Sequence, residues 1–220
     1  MCGDPFDLDH ALSCKKGGWV GRRHTDLLQA WKAVLKKAFP NIDEEPRVPA
    51  VAGRRFAKKS TTTDPDARAD LRVSGFFTAM KDTFFDVAVM DTGARSYSGG
   101  TSEASLAGRE TLKRGIYEER CKPHADFAPL VSSVYGTLAP EAERVVARAA
   151  KEAASKRKEE EDTGFLAKVS LQIAAVRATS NCLRARAWRR PPRASPDAAD
   201  AALEDATATL AAAFTRQPQR

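Results

Sequence analysis

The 220 residues contain no apolar run long enough to span a bilayer, which excludes an ordinary transmembrane helix. The N-terminus lacks the basic-then-apolar layout of a secretory leader, so an intracellular protein with no membrane partner is expected. Cysteine is scarce. Cys2, Cys14, Cys121 and Cys182 are too few and too scattered for a disulfide framework, which leaves thiols or metal ligands in a reducing compartment. No internal repeat is evident, so a stacked-repeat architecture is not indicated.

What is abundant is charge. Asp, Glu, Lys and Arg make up 30% of the chain and leave a net charge of +7, a balance that favours polyanion partners, nucleic acid before anionic membrane. Hydrophobic residues at 42% suffice for a core, and the length suits one domain with appendages or at most two small ones.

Apolar periodicity predicts a helix over 25–38, with Leu27, Leu28, Trp31, Val34, Leu35 and Ala38 on one face and Pro40 beyond its end. The stretch 41–66 reads as loop, with Pro46, Pro49, Gly53, a basic cluster and a Ser/Thr run. Strands are predicted at 69–73, 84–89 and 130–135, and a Gly/Ser loop over 93–102. Polar helices follow at 103–120 and about 140–162. Another, at about 165–188, has Leu166, Val169, Ile173, Val176 and Leu183 near helical spacing. The Ala/Asp-rich tail after Pro191-Pro192 reads as loose helix or disorder. This order describes an α/β domain around a small mixed β-sheet flanked by helices, with extra C-terminal helices.

The chemistry sits in two strands. Asp70 and Asp86 are each embedded in β-rich apolar runs, where an ionised carboxylate is costly unless it is paired or binds a metal. Two such carboxylates on adjacent strands can face one side of a sheet and hold Mg2+ through oxygen. The ion would activate a water for phosphodiester cleavage. The plainer reading places both acids on edge strands facing water. At the other end, Cys2-x7-His10-x3-Cys14 supplies three ligands of the kind zinc takes, one short of a tetrahedral set. Two free thiols and a surface histidine are the alternative.

Several short segments occur in a telling order: Asp9 to Gly18, then Arg23-His24, Glu44-Glu45-Pro46, Ala69-Asp70-Leu71 and Phe84 to Val89. Leu112-Lys113-Arg114, Tyr117 to Arg120, Val134-Tyr135-Gly136 and Cys182-Leu183-Arg184 continue it. Together they resemble the restriction-like endonuclease region, of the PD-(D/E)XK type, of non-LTR retrotransposon polyproteins, where a Cys/His knuckle follows the reverse transcriptase. Each motif is short; their shared order over roughly 1–190 carries the likeness. Ala69 departs from the usual Pro, and Ala88 stands where the strand usually supplies Lys.

The resemblance implies a restriction-endonuclease-like fold, Mg2+ or Mn2+ at Asp70 and Asp86, and Glu45 assisting. It also implies a lysine moved to a downstream helix: Lys113, with Lys81 as rival. Arg23 and His24 would meet a phosphate at the start of the first helix; apart from the resemblance, Arg184, Arg186, Arg189 and Arg190 form a basic end to the last helix that either binds DNA backbone or is simply a soluble arginine-rich end. Cys2, His10 and Cys14 would form a truncated zinc knuckle, because the family's further Cys lies upstream of Cys2. The implied organisation is knuckle at 1–20, nuclease core at 21–137, helical C-terminal extension at 138–190 and tail at 191–220. The function implied is DNA nicking for target-primed reverse transcription, in the nucleus, with element RNA as a partner of the parent protein. The alternatives are a catalytically inactive nucleic-acid-binding remnant of the same fold, and a helical interaction protein built on 138–188.

Overall fold

The computed structural model describes residues 7–49, 67–97, 100–122, 124–157 and 163–187. Cys2, the basic and Ser/Thr cluster before Ala67, and the tail with Arg189 and Arg190 lie outside the described residues. The elements run α1 (Leu8–Ser13), α2 (Trp19–Lys36), β1 (Ile42–Glu44), β2 (Leu71–Ser74), β3 (Asp82–Met90), α3 (Ser102–Cys121), β4 (Ala125–Ser133), α4 (Pro140–Arg157) and α5 (Thr163–Ala187). The strands form one four-stranded mixed sheet in the order β1-β2-β3-β4. β1/β2 and β2/β3 are antiparallel, while β3 and β4 run parallel over nine residues with α3 as the crossover. Among the described residues no helix is long and apolar enough to cross a membrane.

The sheet is central because both of its faces are apolar. Side chains alternate along a strand, so Phe85 and Val87 of β3 join Leu71, Val73, Ala128 and Leu130 beneath α2, α4 and α5. Trp31, Leu35, Val145 and Leu171 reach that core from the helices, and Phe76 stacks edge-on against Phe85 at 5.1 Å between ring centroids. The opposite set, Phe84 and Phe127, packs under Tyr117 and Cys121 of α3, while Ala88 and Val131 meet Leu106. The outcome is a helix–sheet–helix sandwich.

Helix α2 begins at Trp19, six positions before the periodicity suggested. Gly18 is its N-cap with φ 74, a left-handed backbone that an L side chain rarely adopts. Two elements had no signal in the sequence. Helix α1 is capped by Asp7, whose carboxylate accepts from the His10 N–H at 2.7 Å, and it buries Ala11 and Leu12 near Leu183 of α5. Strand β1 lies inside the stretch read as loop. It is held by pairing to β2, by the Asp43–Arg72 ion pair and by Glu44 bound to Lys32 and Gln29 of α2.

The buried face of α5 matches the expected one at Leu183 and differs elsewhere. Ala167, Leu171, Ala175, Ala178 and Cys182 point inward, whereas Leu166 and Ile173 are exposed. A row of small residues lets α5 lie close against its neighbours, and that close approach outweighs the burial of the larger side chains. After β4 the chain turns at Gly136, whose φ of 93 disfavours any L side chain and where a Cβ would crowd the Gln172 carbonyl oxygen at 3.0 Å.

Candidate active site

The site arises from unequal strand lengths. β2 pairs with β3 from Ser74 back to Leu71, but β3 runs on to Met90. The last bond of this pairing is the Asp70 N–H to the Phe85 carbonyl at 2.9 Å. Beyond it, Val87 has an N–H and a carbonyl facing the side that β2 has left. Such groups must find partners, and here side chains supply them. The Val87 N–H donates to Asp70 Oδ2 at 2.5 Å, and the Val87 carbonyl oxygen lies 3.1 Å from His24 Nε2. The same His24 nitrogen is 3.2 Å from Asp70 Oδ2. On its other side Asp70 accepts the Glu45 N–H on its backbone oxygen at 3.0 Å, so its backbone is bonded to both neighbouring chains.

Asp86 occupies the next position of β3. Since Phe85 and Val87 belong to the α2 side, alternation sends Asp86 toward α3. Its side chain is 7% exposed, and Lys113 Nζ lies 2.6 Å from Oδ2. The contact is a close ion pair, without the geometry of a regular hydrogen bond to that oxygen. Tyr117, one helical turn further along α3, turns its hydroxyl to Asp86 and lies with its ring 5.8 Å from the Lys113 ammonium. Regular β2/β3 pairing ends at Leu71↔Phe85, just before Asp70 and Asp86, and the two acids are near enough for the charge of Asp70 to act on Asp86.

The electrostatics bind these residues into one cluster. Burial pushes the Asp86 acid above its ordinary range, and the charge of Asp70 adds to that, while Lys113 and then His24 oppose it. His24 is raised chiefly by its hydrogen bond to Asp70, against the opposing effect of burial. Tyr117 is pushed up by burial and by the charges of Asp86 and Asp70, so its hydroxyl keeps its proton. Helices α2 and α3, strand β3 and the segment leading into β2 thus deliver two acids, an ammonium, an imidazole and a phenol to one site.

The structure therefore brings together Asp70, Asp86, Lys113 and His24 of the residues singled out in sequence. Glu45 is not with them. Its backbone sits beside Asp70 with φ 49, but its carboxylate is 73% exposed and lies 3.9 Å from Arg68. Lys81 pairs instead with Asp126 at 2.6 Å. Arg23, expected at a phosphate, is buried at 4% exposure and does not offer a surface contact. His10 and Cys14 lie at the end of α1, where the Cys14 N–H donates to the His10 carbonyl at 2.9 Å. Arg184 is exposed on α5, and Arg186 is in the same helix. Cys121 is buried, and burial pushes its thiol up to about 12, which makes it an unreactive core residue.

Sequence reasoning did not assign Tyr117 a role. The signal was available: Lys113 and Tyr117 are spaced i, i+4, so a helix that presents one to Asp86 presents the other. Among the described residues no three His, Cys, Asp or Glu side chains converge on a single metal position as they stand. No protein-family model and no curated protein matches the chain.

Proposed function

We propose that the chain is a metal-dependent DNA endonuclease with a restriction-endonuclease-like fold, similar to the nuclease region of non-LTR retrotransposon polyproteins. The observation that carries this reading is the pairing of Lys113 from α3 with Asp86 from β3, beside Asp70. The lysine that the β3 strand lacks at Ala88 is supplied to the same carboxylate from a helix. A mixed four-stranded sheet with Asp86 on one central strand and Asp70 at the entry to the other is in keeping with that fold.

The residues suit a divalent cation. Asp86 is buried, its acid form is favoured, and a second carboxylate adds unfavourable charge that one ammonium and one imidazole only partly offset. Asp70 and Asp86 would hold Mg2+ or Mn2+, which when bound supplies an activated water and neutralises charge on the phosphate. The chain's own contribution is positional. Asp70 is fixed by the Val87 N–H and by His24, so one oxygen has a defined direction. Lys113 holds its ammonium at Asp86, where it can orient the attacking water or meet the charge that grows on the phosphoryl oxygens. Tyr117 walls the site as a neutral donor. DNA would be drawn by the basic balance of the chain, with Arg184 among its contacts. A nuclear setting and element RNA as partner follow from the same family reading.

Nicking of supercoiled plasmid by the purified chain tests it, with and without Mg2+ or Mn2+, against an Asp70→Ala/Asp86→Ala double variant. Nicking that requires both the metal and the two aspartates is expected. Equal nicking by the double variant would sink the assignment. Salt-sensitive DNA binding without nicking would favour the inactive, nucleic-acid-binding alternative.

A further inference from the structure

His24 has a place in this site that hydrogen bonding alone does not demand. Val87 and Asp70 needed a donor, and many side chains could supply one. What stands there is an imidazole nitrogen equidistant from two oxygens, 3.2 Å from Asp70 Oδ2 and 3.1 Å from the Val87 carbonyl. An octahedral ion with donors at about 2.1 Å has neighbouring donors about 3 Å apart. The two separations from Nε2 are thus those of adjacent corners around a single ion.

We infer that His24 is a ligand of the divalent cation proposed above, joining Asp70 Oδ2 and the Val87 carbonyl, and that it tunes the site toward Mn2+ over Mg2+. The inference rests on the nuclease reading for the presence of the ion, but the histidine is a separate claim. The ion would take the place of the hydrogen that Nε2 shares with the two oxygens. Asp86, the other acid proposed to hold the ion, does not converge with His24 and Asp70 on one metal position as the described residues stand, so the donors that already lie together are His24, Asp70 Oδ2 and the Val87 carbonyl. Manganese shares magnesium's preference for oxygen donors but, as a first-row transition ion, takes an imidazole nitrogen more readily than magnesium, which dehydrates reluctantly and keeps its waters. Helix α2 fixes the ring from below: His24 is one turn before Leu27 and Leu28, which anchor that face in the core.

The test is a Mn2+ titration followed by pulsed electron paramagnetic resonance, on the full chain and on His24→Gln. In the unaltered chain, bound Mn2+ should show coupling to a nitrogen nucleus, and that coupling should vanish in His24→Gln. Calorimetry should show Mn2+ binding weakened by at least about tenfold in the variant, with Mg2+ binding changed much less. Thermal melting of His24→Gln and His24→Asn guards against simple unfolding, since both amides can still donate to Asp70. Mn2+ bound with no nitrogen coupling would overturn the role of His24 while leaving Asp70 and Asp86 as ligands. No binding of either ion by the unaltered chain would overturn both that role and the metal site itself.

Discussion

Helix α3 serves two buried acids from neighbouring residues, and the two are built differently. Lys113 faces Asp86; Arg114, the next residue, faces Glu141 at the start of α4. Glu141 is surrounded by partners that complete it. Arg114 and Arg144 reach its Oε2 at 2.7 and 2.9 Å, and its own N–H, one of the orphan donors of the helix start, is taken by Glu110 Oε1 at 2.9 Å. Asp86 has one ammonium, a phenol and a second acid for company. Its acid form is raised by burial, so the fold holds the charge there at a cost. A buried carboxylate is therefore not in itself a sign of function. The arrangement of its partners separates a structural acid from one kept in readiness for a ligand.

The largest effect expected is on the Asp86 side. Asp86→Asn should reduce metal-dependent nicking by about a thousandfold or more and yet leave the melting temperature unchanged or higher. The sign follows from the raised acid: the native state binds more protons than the unfolded chain, so this carboxylate lowers stability as pH rises from its ordinary range through its folded value. The stability gap between Asp86→Asn and the unaltered chain should widen as pH rises through that window and close below it. Thermal melts across pH check this. A strongly destabilised Asp86→Asn would put Asp86 in the same class as Glu141.

The opposite pattern is expected for Glu141→Gln. It replaces the carboxylate shared by two guanidinium groups with a neutral amide, and since Arg144 is largely exposed the cost should be about 2 kcal/mol. Nicking per folded molecule should be unchanged. Denaturant melts and a rate corrected for the folded fraction separate the two. A variant that loses activity without losing stability would place Glu141 in the catalytic apparatus and erase the contrast.

Strands β2 and β3 and helices α2 to α5 were legible as elements in the sequence, whereas β4, expected at 130–135, begins earlier, at Ala125. Asp70, before Leu71, and Asp86, between Phe85 and Val87, were conspicuous as acids inside apolar runs, and Lys113 was suggested only by the family resemblance, in which a downstream helix carries the lysine missing at Ala88. β1 is only three residues, with Ile42 its one apolar side chain, so it exists through pairing rather than through its own pattern. The junction of His24 with Val87 depends on β2 ending where β3 continues, a fact of register that no local spacing reveals. Glu45 misled for the reverse reason: it is adjacent to Asp70 along the sheet, but a left-handed backbone turns its side chain out.

Lys113→Met comes next in size, with nicking expected to fall by about a hundredfold. Removing the ammonium takes away the main influence holding the Asp86 acid down, so that acid should rise further. Titration of Asp86 by carboxylate-resolved NMR checks the direction. A downward movement would show that Lys113 is not the counter-charge the geometry indicates.

The finest distinction concerns Tyr117, which belongs to the core and to the site at once. Its ring stacks on Phe127 at 5.2 Å, and its hydroxyl faces Asp86. Tyr117→Phe keeps the stack and deletes only the hydroxyl, so stability should change by no more than about 1 kcal/mol. Because the phenol keeps its proton well above neutral pH, it acts as a donor and not as a base. Its loss should slow nicking less than tenfold, without altering the shape of the pH–rate profile around neutrality. Single-turnover nicking at several pH values measures both quantities. An unchanged rate would assign Tyr117 to the packing between α3 and the sheet, leaving Lys113 as the sole contribution of α3 to Asp86; a changed profile would mean the phenol moves a proton.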